Sequence, residues 1–365
     1  MAGGAVIVAP VSQQQWGGPY PYASQGFRQP SFGPGPVYGG PPGPIPTYPP
    51  PGYGLPPNMP APRRRSPLKL LLKAMIALAL LAMVGFVMLG ATSQTTEVAF
   101  QNDDYQVPPP DANPPPIPMP DTYEEAEAIV TNSPFYDQTA PAPVRCNTQP
   151  INVGTASDSQ LKSHFEGMME CLIRVWQPPV SAAQLTLVRP TVTIYGDKMT
   201  TKCGTSGINA FYCAADQQVY YSNRLADAIP IVAEDKWAAE VVIAHEFGHA
   251  LQGRTGILIS AKALGQNAGD EGTDLLFTRR LETQADCLSG MFIRSVSVSL
   301  GVQNSDLKGI YATYEAIGDD VLSGDPGIVG NHGLSRTRKF WGNTGLANGA
   351  VAKCNTFIVP KSQVR

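Results

Sequence analysis

Proline is concentrated in two stretches of this 365-residue sequence, and neither stretch can form a packed core. Residues 1–67 hold 18 of the 36 prolines together with 12 glycines, and eight more prolines lie between Pro108 and Pro120. Proline cannot donate a backbone hydrogen bond, glycine loses the most backbone entropy on folding, and the few apolar residues cannot offset that entropy. A folded domain must therefore come mainly from the residues after Pro120.

The charges divide the chain more finely. Residues 1–73 carry six basic side chains and no acidic ones, residues 74–144 carry nine acidic and no basic ones, and residues 145–365 carry 20 of each. We therefore predict a disordered Pro/Gly/Tyr-rich tail (1–67), a transmembrane helix with a basic flank (68–92), an acidic Pro-rich linker (93–144) and one domain (145–365). A net charge of -3 and a pI near 5.8 argue against a nucleic-acid binder.

The membrane prediction rests on residues 74–96, which are 23 residues without a charge. About 20 apolar residues in a helix cross the ~30 Å hydrocarbon layer. Five basic residues precede this run within 11 positions, so the positive-inside rule predicts a single-pass protein with a cytoplasmic N-terminus and an extracytoplasmic C-terminal domain. The tail is then either a solvated low-complexity segment or a ligand for a cytoplasmic partner that recognises proline.

All six cysteines follow the apolar run, which favours disulfides on the exported side. The candidates are Cys146, Cys171, Cys203, Cys213, Cys287 and Cys354. Six cysteines allow 15 pairings, of which the sequence favours only Cys203 with Cys213, since these two flank a Gly-containing loop between strand-like runs. A structural zinc site with four cysteine ligands is the alternative, but the chain has no CxxC spacing.

Two of the four histidines lie in the run HEFGH, as His245 and His249. Apolar residues around this run cover much of a helical circumference, which predicts a helix buried in the middle of the domain, with Gly253 at its end. Histidines four apart share one face of a helix and can bind one zinc ion, and Glu246 can then act as general base on a water molecule. Two core histidines satisfied by hydrogen bonds are the structural alternative.

A catalytic zinc needs a third protein ligand, and the sequence offers a carboxylate for it. Thr255 stands where a third histidine of the extended motif would be. In the later helical run LETQADCLSG, Glu282 and Asp286 are four residues apart and so share one face. We expect Glu282 to bind the metal and Asp286 to accept the remaining imidazole N–H of a ligand histidine. A solvated helix surface, or pairing with Arg279 and Arg280, is the alternative.

The other two histidines have weaker signals. His332 lies in a glycine-bracketed turn, from which it could donate to the oxyanion that develops during attack on a carbonyl; a loop histidine with a local hydrogen bond is the alternative. Arg336 is a weaker candidate for the same role or for an ion pair. His164 lies in an amphipathic run, and we expect it to be structural.

Five blocks of this sequence resemble the neutral zinc metallopeptidase family of bacterial membrane-anchored zincins. The blocks are CGTSGINAFYCAADQQVYY, HEFGHALQ, LETQADCLSG, the turn His332-Gly333-x-Ser335 and CNTF. The resemblance covers about residues 190–360. It implies His245 and His249 as ligands, Glu246 as the base, Glu282 as a gluzincin-like third ligand and one Zn²⁺ per domain. Cys146 and Cys171 fall outside these blocks and could form their own bridge.

These observations together predict an α+β zincin-like domain built around the HEFGH helix, with strands near residues 191–195 and 219–222. An edge strand near 217–222 would pair with an extended peptide. The expected reaction is zinc-dependent hydrolysis of peptide bonds outside the cell membrane. A catalytically silent envelope scaffold, or a zinc hydrolase acting on a non-peptide cell-wall amide, is the alternative function.

Overall fold

The computed structural model describes residues 67–90, 98–111 and 113–365. These residues fall into two units that are treated separately below. One unit contains 67–90 and Val98, and the other contains the described residues from Ala99 to Arg365. The predicted tail (1–67), with its proposed cytoplasmic partner, lies outside the described residues except for Pro67.

The first unit consists of helix α1, Pro67–Gly90. None of the helices in the described part of the chain is both long enough and apolar enough to cross a membrane. The transmembrane helix predicted over 68–92 is therefore not confirmed. Lys69 and Lys73 fall within the first two turns of α1, and 91 and 92 are outside the described residues.

The second unit is mixed α+β, as predicted for a zincin-like domain. Its helices are α2 (Tyr123–Asn132), α3 (Asp158–Ala182), α4 (Leu225–Ala228), α5 (Ile231–Glu234), α6 (Ala238–Arg254), α7 (Ile257–Asn267), α8 (Glu271–Leu300), α9 (Leu307–Ala316), α10 (Asp319–Ser323) and α11 (Ser335–Ala347). Its strands are β1 (Val192–Tyr195), β2 (Met199–Thr201), β3 (Gly204–Ser206), β4 (Ala210–Cys213) and β5 (Gln218–Ser222).

The main sheet has the order β1-β5-β4, and β2 and β3 form a separate hairpin. Strand β5 pairs parallel to β1 and antiparallel to β4, so both of its edges are occupied. The prediction that residues 217–222 form an edge strand is therefore wrong, because a short turn folds β4 back onto β5 and β1 covers the other side. The edge strand near the HEFGH helix is β4, which packs on α6.

Helix α6 is the centre of the unit, and every one of its residues is buried. Helix α8 packs against α6 on one side and against α11 on another. The α8–α11 contact is close because Gly290 faces the backbone of α11, where an added Cβ would collide with the carbonyl of Gly342. Because α8 and α11 pack so closely, residues of α11 lie next to the face of α8 that points at α6.

The acidic, proline-rich stretch also contributes to this unit. From residue 99 onward its described residues belong to the same compact unit as the rest of the domain, and they include helix α2. Tyr105 and Val107 pack against the main core. The described residues from Ala99 onward thus pack in this compact unit, and the domain boundary at residue 145 stays a prediction.

Three disulfides link the six cysteines: Cys146–Cys171, Cys203–Cys213 and Cys287–Cys354. The second pair is the one that the sequence favoured, and the first is the separate bridge that the sequence left open for Cys146 and Cys171. The third joins α8 to the last turns of the chain across 67 residues. Because all six sulfurs are bonded, the four-cysteine zinc site is excluded.

Candidate metal centre

The structure brings His245, His249 and Glu282 together at the interface of α6 and α8. Each residue offers one ligand atom, and these three atoms all lie within 4.8 Å of one another. The Nε2 atom of His245 is 3.3 Å from Glu282 Oε2, and Nε2 of His249 is 3.5 Å from Glu282 Oε1. All three residues are buried. Two imidazole nitrogens and one carboxylate oxygen converging in this way form the donor set of a catalytic zinc site.

Two acceptors orient the imidazole rings so that Nε2 faces the cluster. His245 Nδ1 lies 2.8 Å from Asp286 Oδ1, and His249 Nδ1 lies 2.8 Å from Gln252 Oε1. The Gln252 amide is fixed in this orientation because its Nε2 donates to the Leu281 carbonyl and to the Gln284 side chain. Since an acceptor on Nδ1 places the proton there, the neutral form of each ring has its lone pair on Nε2, as a metal ligand requires.

Arg338 of α11 is buried beside these ligands and holds Asp286 by two hydrogen bonds. Its Nε and Nη2 atoms donate to Asp286 Oδ2 and Oδ1 at 2.8 and 2.9 Å, and its Nη1 donates to the Ile317 carbonyl at 2.8 Å. Its Nη2 is also 3.7 Å from Glu282 Oε2. Arg338 therefore compensates the charge of the two carboxylates on α8 and fixes the one that orients His245.

The pKa values of this cluster reflect strong mutual interaction. Burial lowers the pKa of His245, but the charge and hydrogen bond of Asp286 outweigh it and raise the value to about 9. Burial alone would raise the pKa of Glu282, but the charge of His249, hydrogen bonds to both histidines and the charge of His332 hold it well below its usual range. The carboxylates thus favour protonation of the neighbouring imidazoles, and a divalent cation could replace those protons and neutralise the same negative charge. The residues present fit a zinc ion.

Glu246 lies next to the first histidine and is held by the edge strand. Its Oε2 atom accepts a hydrogen bond of 2.8 Å from the backbone N–H of Tyr212 in β4. The side chain is buried, and burial raises the pKa of this carboxyl despite the opposing charges of His245 and His249. A carboxylate with a raised pKa beside a metal site is suited to accept a proton and to release it again.

His332 is clamped by Asp319 at the start of α10. The Asp319 carboxylate accepts from the His332 backbone N–H at 3.0 Å and from the Gly333 N–H at 2.8 Å, and it lies 3.1 Å from His332 Nδ1. Asp319 is buried, whereas the His332 side chain is 30% exposed. Gly333 has a φ of +94°, which a residue with a Cβ rarely adopts, so the turn that presents His332 requires glycine there.

The remaining predicted residues lie elsewhere. His164 Nε2 is 3.0 Å from Glu240 Oε1 in the core, which agrees with a structural role. Arg336 lines a surface pocket with Tyr311, Lys339, Phe340 and Asn343.

Sequence reasoning missed Gln252, Asp319, Arg338 and Tyr212 as parts of the site. Only Gln252 had a local signal, since it lies three residues after His249 and so near the same face of α6.

Comparison with known proteins agrees with this geometry. Residues 129–357 match the Zn_peptidase family, described as "Putative neutral zinc metallopeptidase". The uncharacterized protein YpfJ of Escherichia coli K12 is 34% identical over 181 residues, which cover 47% of this chain and 63% of that protein. The uncharacterized proteins Mb2605 of Mycobacterium bovis and Rv2575 of Mycobacterium tuberculosis are each 28% identical over 203 residues, covering 50% of this chain and 66% of theirs.

The chain thus spans slightly less than two thirds of these relatives, and it matches no solved structure. The family match covers well over half of the chain and includes both helices that carry the metal cluster, the glycine turn of His332 and the edge strand that holds Glu246. This chain belongs to the neutral zinc metallopeptidase family.

Proposed function

We propose that this protein is a zinc-dependent peptidase that hydrolyses peptide bonds of peptide or protein substrates. The observation that carries the proposal is the buried cluster of His245, His249 and Glu282, with Glu246 held beside it by the edge strand. One Zn²⁺ held by these three residues would supply the Lewis acid that makes water acidic near neutral pH and polarises a carbonyl oxygen.

Glu246 acts as the general base. The Tyr212 N–H holds Oε2, which leaves Oε1 of the same carboxylate to take the proton of the attacking water. Because its pKa is raised by burial, the protonated carboxyl can pass that proton to the leaving nitrogen. Tyr212 thus positions the base while the base moves the proton.

Strand β4 supports binding of an extended substrate. Tyr212 pairs with Val219 of β5, and its N–H points away from β5 to Glu246, so the base lies at the unpaired edge of β4. A peptide that adds to this edge by main-chain hydrogen bonds brings its carbonyl groups past Glu246. Such recognition depends on the peptide backbone and favours a peptide bond over other amides.

His332 stabilises the oxyanion in this proposal. Ionised Asp319 can only accept hydrogen bonds, so Nδ1 of His332 carries a proton, and Nε2 carries a second proton when the ring is an imidazolium. An imidazolium Nε2–H can donate to the developing oxyanion, with Asp319 compensating its charge. The influence of His332 on the pKa of Glu282 supports this location.

We also propose that the domain works outside the cytoplasm, as a membrane-anchored protein of the cell envelope. Three disulfides support the location, because structural disulfides persist in oxidising compartments and are rare in the cytosol. The membrane anchor itself rests only on the apolar composition of residues 74–91 and the basic flank before it. To test the location, cells are fractionated, and the cysteines of the protein in each fraction are labelled with a thiol reagent with and without prior reduction.

The Glu246→Gln variant tests the proposed activity. We expect it to bind one zinc per chain like the native protein, while kcat/KM on a mixed peptide library falls by roughly 10²-fold or more, because the base is lost. Glu240→Gln is the matched control, since Glu240 is also buried on α6 but pairs with His164. Full activity of Glu246→Gln would refute the mechanism.

Two further measurements separate the alternatives. The Glu282→Ala variant should lose zinc occupancy, measured by metal analysis after dialysis, and unchanged metal content would remove Glu282 from the ligand set. Cell-wall fragments assayed beside the peptide library test hydrolysis of a non-peptide amide. Zinc binding without turnover of either substrate class would indicate a silent scaffold.

A further inference from the structure

Gln284 of α8 is a buried amide one step removed from the metal cluster. Within the described part of the chain its hydrogen bonds go to Gln252, Tyr136 and Cys354, and not to a proposed ligand. Its Oε1 accepts from Gln252 Nε2 at 3.1 Å. Its Nε2 donates to the Tyr136 hydroxyl at 2.9 Å and to the Cys354 carbonyl at 3.1 Å. Both ends of this amide are therefore engaged in the core.

Two backbone carbonyls determine which way the two glutamine amides point. A carbonyl oxygen only accepts hydrogen bonds, so the amide atom that faces it must be the nitrogen. The Cys354 carbonyl faces Gln284 Nε2, and the Leu281 carbonyl faces Gln252 Nε2 at 2.8 Å. Reversal of either amide would place its oxygen against a carbonyl oxygen and leave buried acceptors unpaired. Each glutamine also stabilises the orientation of the other, because Gln252 donates to Gln284.

The orientation of Gln252 determines which nitrogen of His249 carries the proton. Gln252 Oε1 lies 2.8 Å from His249 Nδ1, so the neutral ring is protonated on Nδ1. Its lone pair is then on Nε2, the atom 3.5 Å from Glu282 Oε1. A reversed Gln252 would offer a donor to Nδ1 and favour the tautomer that is protonated on Nε2, which cannot bind a metal through that atom.

The two ligand histidines differ in this respect. The acceptor for His245 is the carboxylate of Asp286, which presents an oxygen in either orientation. The acceptor for His249 is a neutral amide, whose two ends have opposite hydrogen-bonding roles. The Cys354 carbonyl is also held in place, since the disulfide joins Cys354 to Cys287, three residues after Gln284 on α8. Only the His249 side of the site thus depends on a chain of amides.

We propose that Gln284 is a positioning residue that sets the zinc affinity of the site by orienting Gln252. This inference rests on the zinc ligands of the proposed function, but it requires no turnover. Gln284→Met keeps the size of the side chain and removes both polar atoms. We expect the Kd for zinc, measured by competition with a chelator, to rise about tenfold.

The tautomer of His249 is the readout that a merely structural role would not change. The chain has only four histidines, so ¹⁵N NMR of labelled histidine can follow each ring of the metal-free protein. At a pH where the ring is neutral, His249 should be protonated on Nδ1 in the native protein. Gln284→Met should give a mixture of both tautomers. The native spectrum tests the inference even if the variant fails to fold.

Thr356→Val is the matched control. The Thr356 hydroxyl donates to the Arg280 carbonyl at 2.6 Å, so it is a second buried hydrogen bond between α8 and the segment that contains Cys354. Its loss should lower the thermal stability of the metal-free protein but leave the zinc Kd and the His249 tautomer unchanged. If Gln284 acts through Gln252, the Gln252→Ala/Gln284→Met protein should bind zinc no more weakly than Gln252→Ala alone.

Each other outcome contradicts a definite part of the proposal. A native His249 protonated on Nε2, an unchanged zinc Kd in Gln284→Met, or an equal loss in Thr356→Val overturns the role of Gln284. Losses that multiply in the double variant overturn it as well. Zinc binding with the expected Gln284 effects but no cleavage of any peptide would refute only the peptidase function. A native protein that binds no zinc would refute both.

Discussion

At the scale of single residues, Asp319 shows how a site residue is held from a distant part of the chain. Its carboxylate accepts from two backbone N–H groups and faces the ring of His332, so it sets both the turn and the imidazole. Asp319→Ala should therefore lower kcat by about ten- to a hundredfold, with zinc content retained, because the oxyanion loses an oriented donor. Steady-state kinetics and metal analysis measure this.

A double-mutant comparison makes the Asp319 prediction specific. If Asp319 acts through His332, the Asp319→Ala/His332→Ala protein should be no slower than His332→Ala alone. Losses in kcat that multiply would show that Asp319 acts independently, for example through the stability of α10. Asp319→Asn, which keeps one acceptor oxygen, should have an intermediate effect.

His245 predicts a pH dependence of metal binding. In the metal-free protein its pKa is raised from 6.5 to about 9, so the ring is protonated at neutral pH and must lose that proton to bind zinc. Zinc affinity should then rise about tenfold per pH unit between pH 7 and 8.5, with roughly one proton released per zinc. Calorimetry in buffers of different ionisation enthalpy counts the protons. A pH-independent affinity would contradict the prediction.

At the scale of elements, the spacing between α6 and α8 decides whether the ligands meet. A Cβ added at Gly248 would lie 3.0 Å from Ala285 Cα and 3.2 Å from the Ala285 carbonyl oxygen. Gly248 lies between His245 and His249 on α6, and Ala285 lies three residues after Glu282 on α8, so α8 cannot shift there without moving Glu282. Because Gly248 has no side chain, α6 and α8 pack closely enough for His245, His249 and Glu282 to converge.

Gly248→Val tests the spacing of the helices. We expect it to destabilise the fold by roughly 1–3 kcal/mol and to weaken zinc binding, because it forces α6 and α8 apart. Gly248→Ala should fail to show the gain of about 1 kcal/mol that alanine normally brings to a helix. Denaturant unfolding and zinc titration provide the measurements.

Contacts within one helix could be predicted from the sequence, whereas contacts between elements that are distant in the chain could not. His245 and His249, or Glu282 and Asp286, are four residues apart on one helix, so helical geometry alone places each pair on one face. Arg338 and Asp286 are 52 residues apart, and their contact depends on the close packing of α8 and α11. The position of β5 inside the sheet likewise depends on β1, which pairs with it across more than 20 intervening residues. Local spacing predicted which side chains share a helix face; tertiary packing determined what holds them.

At the scale of the whole molecule, the proline-rich stretch before residue 121, here called the arm, is hydrogen-bonded to α6, the helix of the candidate site. The arm precedes the family-matched region. Buried Arg254, the last residue of α6, donates from Nη1 to the carbonyls of Pro115 and Pro116 at 3.0 and 3.2 Å. Gln217 donates to the same Pro115 carbonyl at 2.7 Å, and Arg189 donates to the Pro108 carbonyl at 3.2 Å. Proline carbonyls can serve these donors because an extended, proline-rich chain leaves them unpaired.

Removal of the arm should therefore destabilise the domain although the described residues of the arm form no helix or strand. A protein that begins at residue 121 leaves Arg254 without its two proline acceptors, and we expect the free energy of unfolding to fall by about 3 kcal/mol. Urea denaturation with the disulfides intact measures the loss. If Arg254 carries the effect, the same truncation should cost much less in an Arg254→Met background, because the guanidinium that loses the two proline acceptors is absent. An equal cost in both backgrounds would instead assign the stabilisation to the other contacts of the arm, which are the hydrogen bonds from Arg174, Arg189 and Gln217 and the apolar packing of Tyr105 and Val107. Full stability of the truncated protein would mean that the arm is only a spacer.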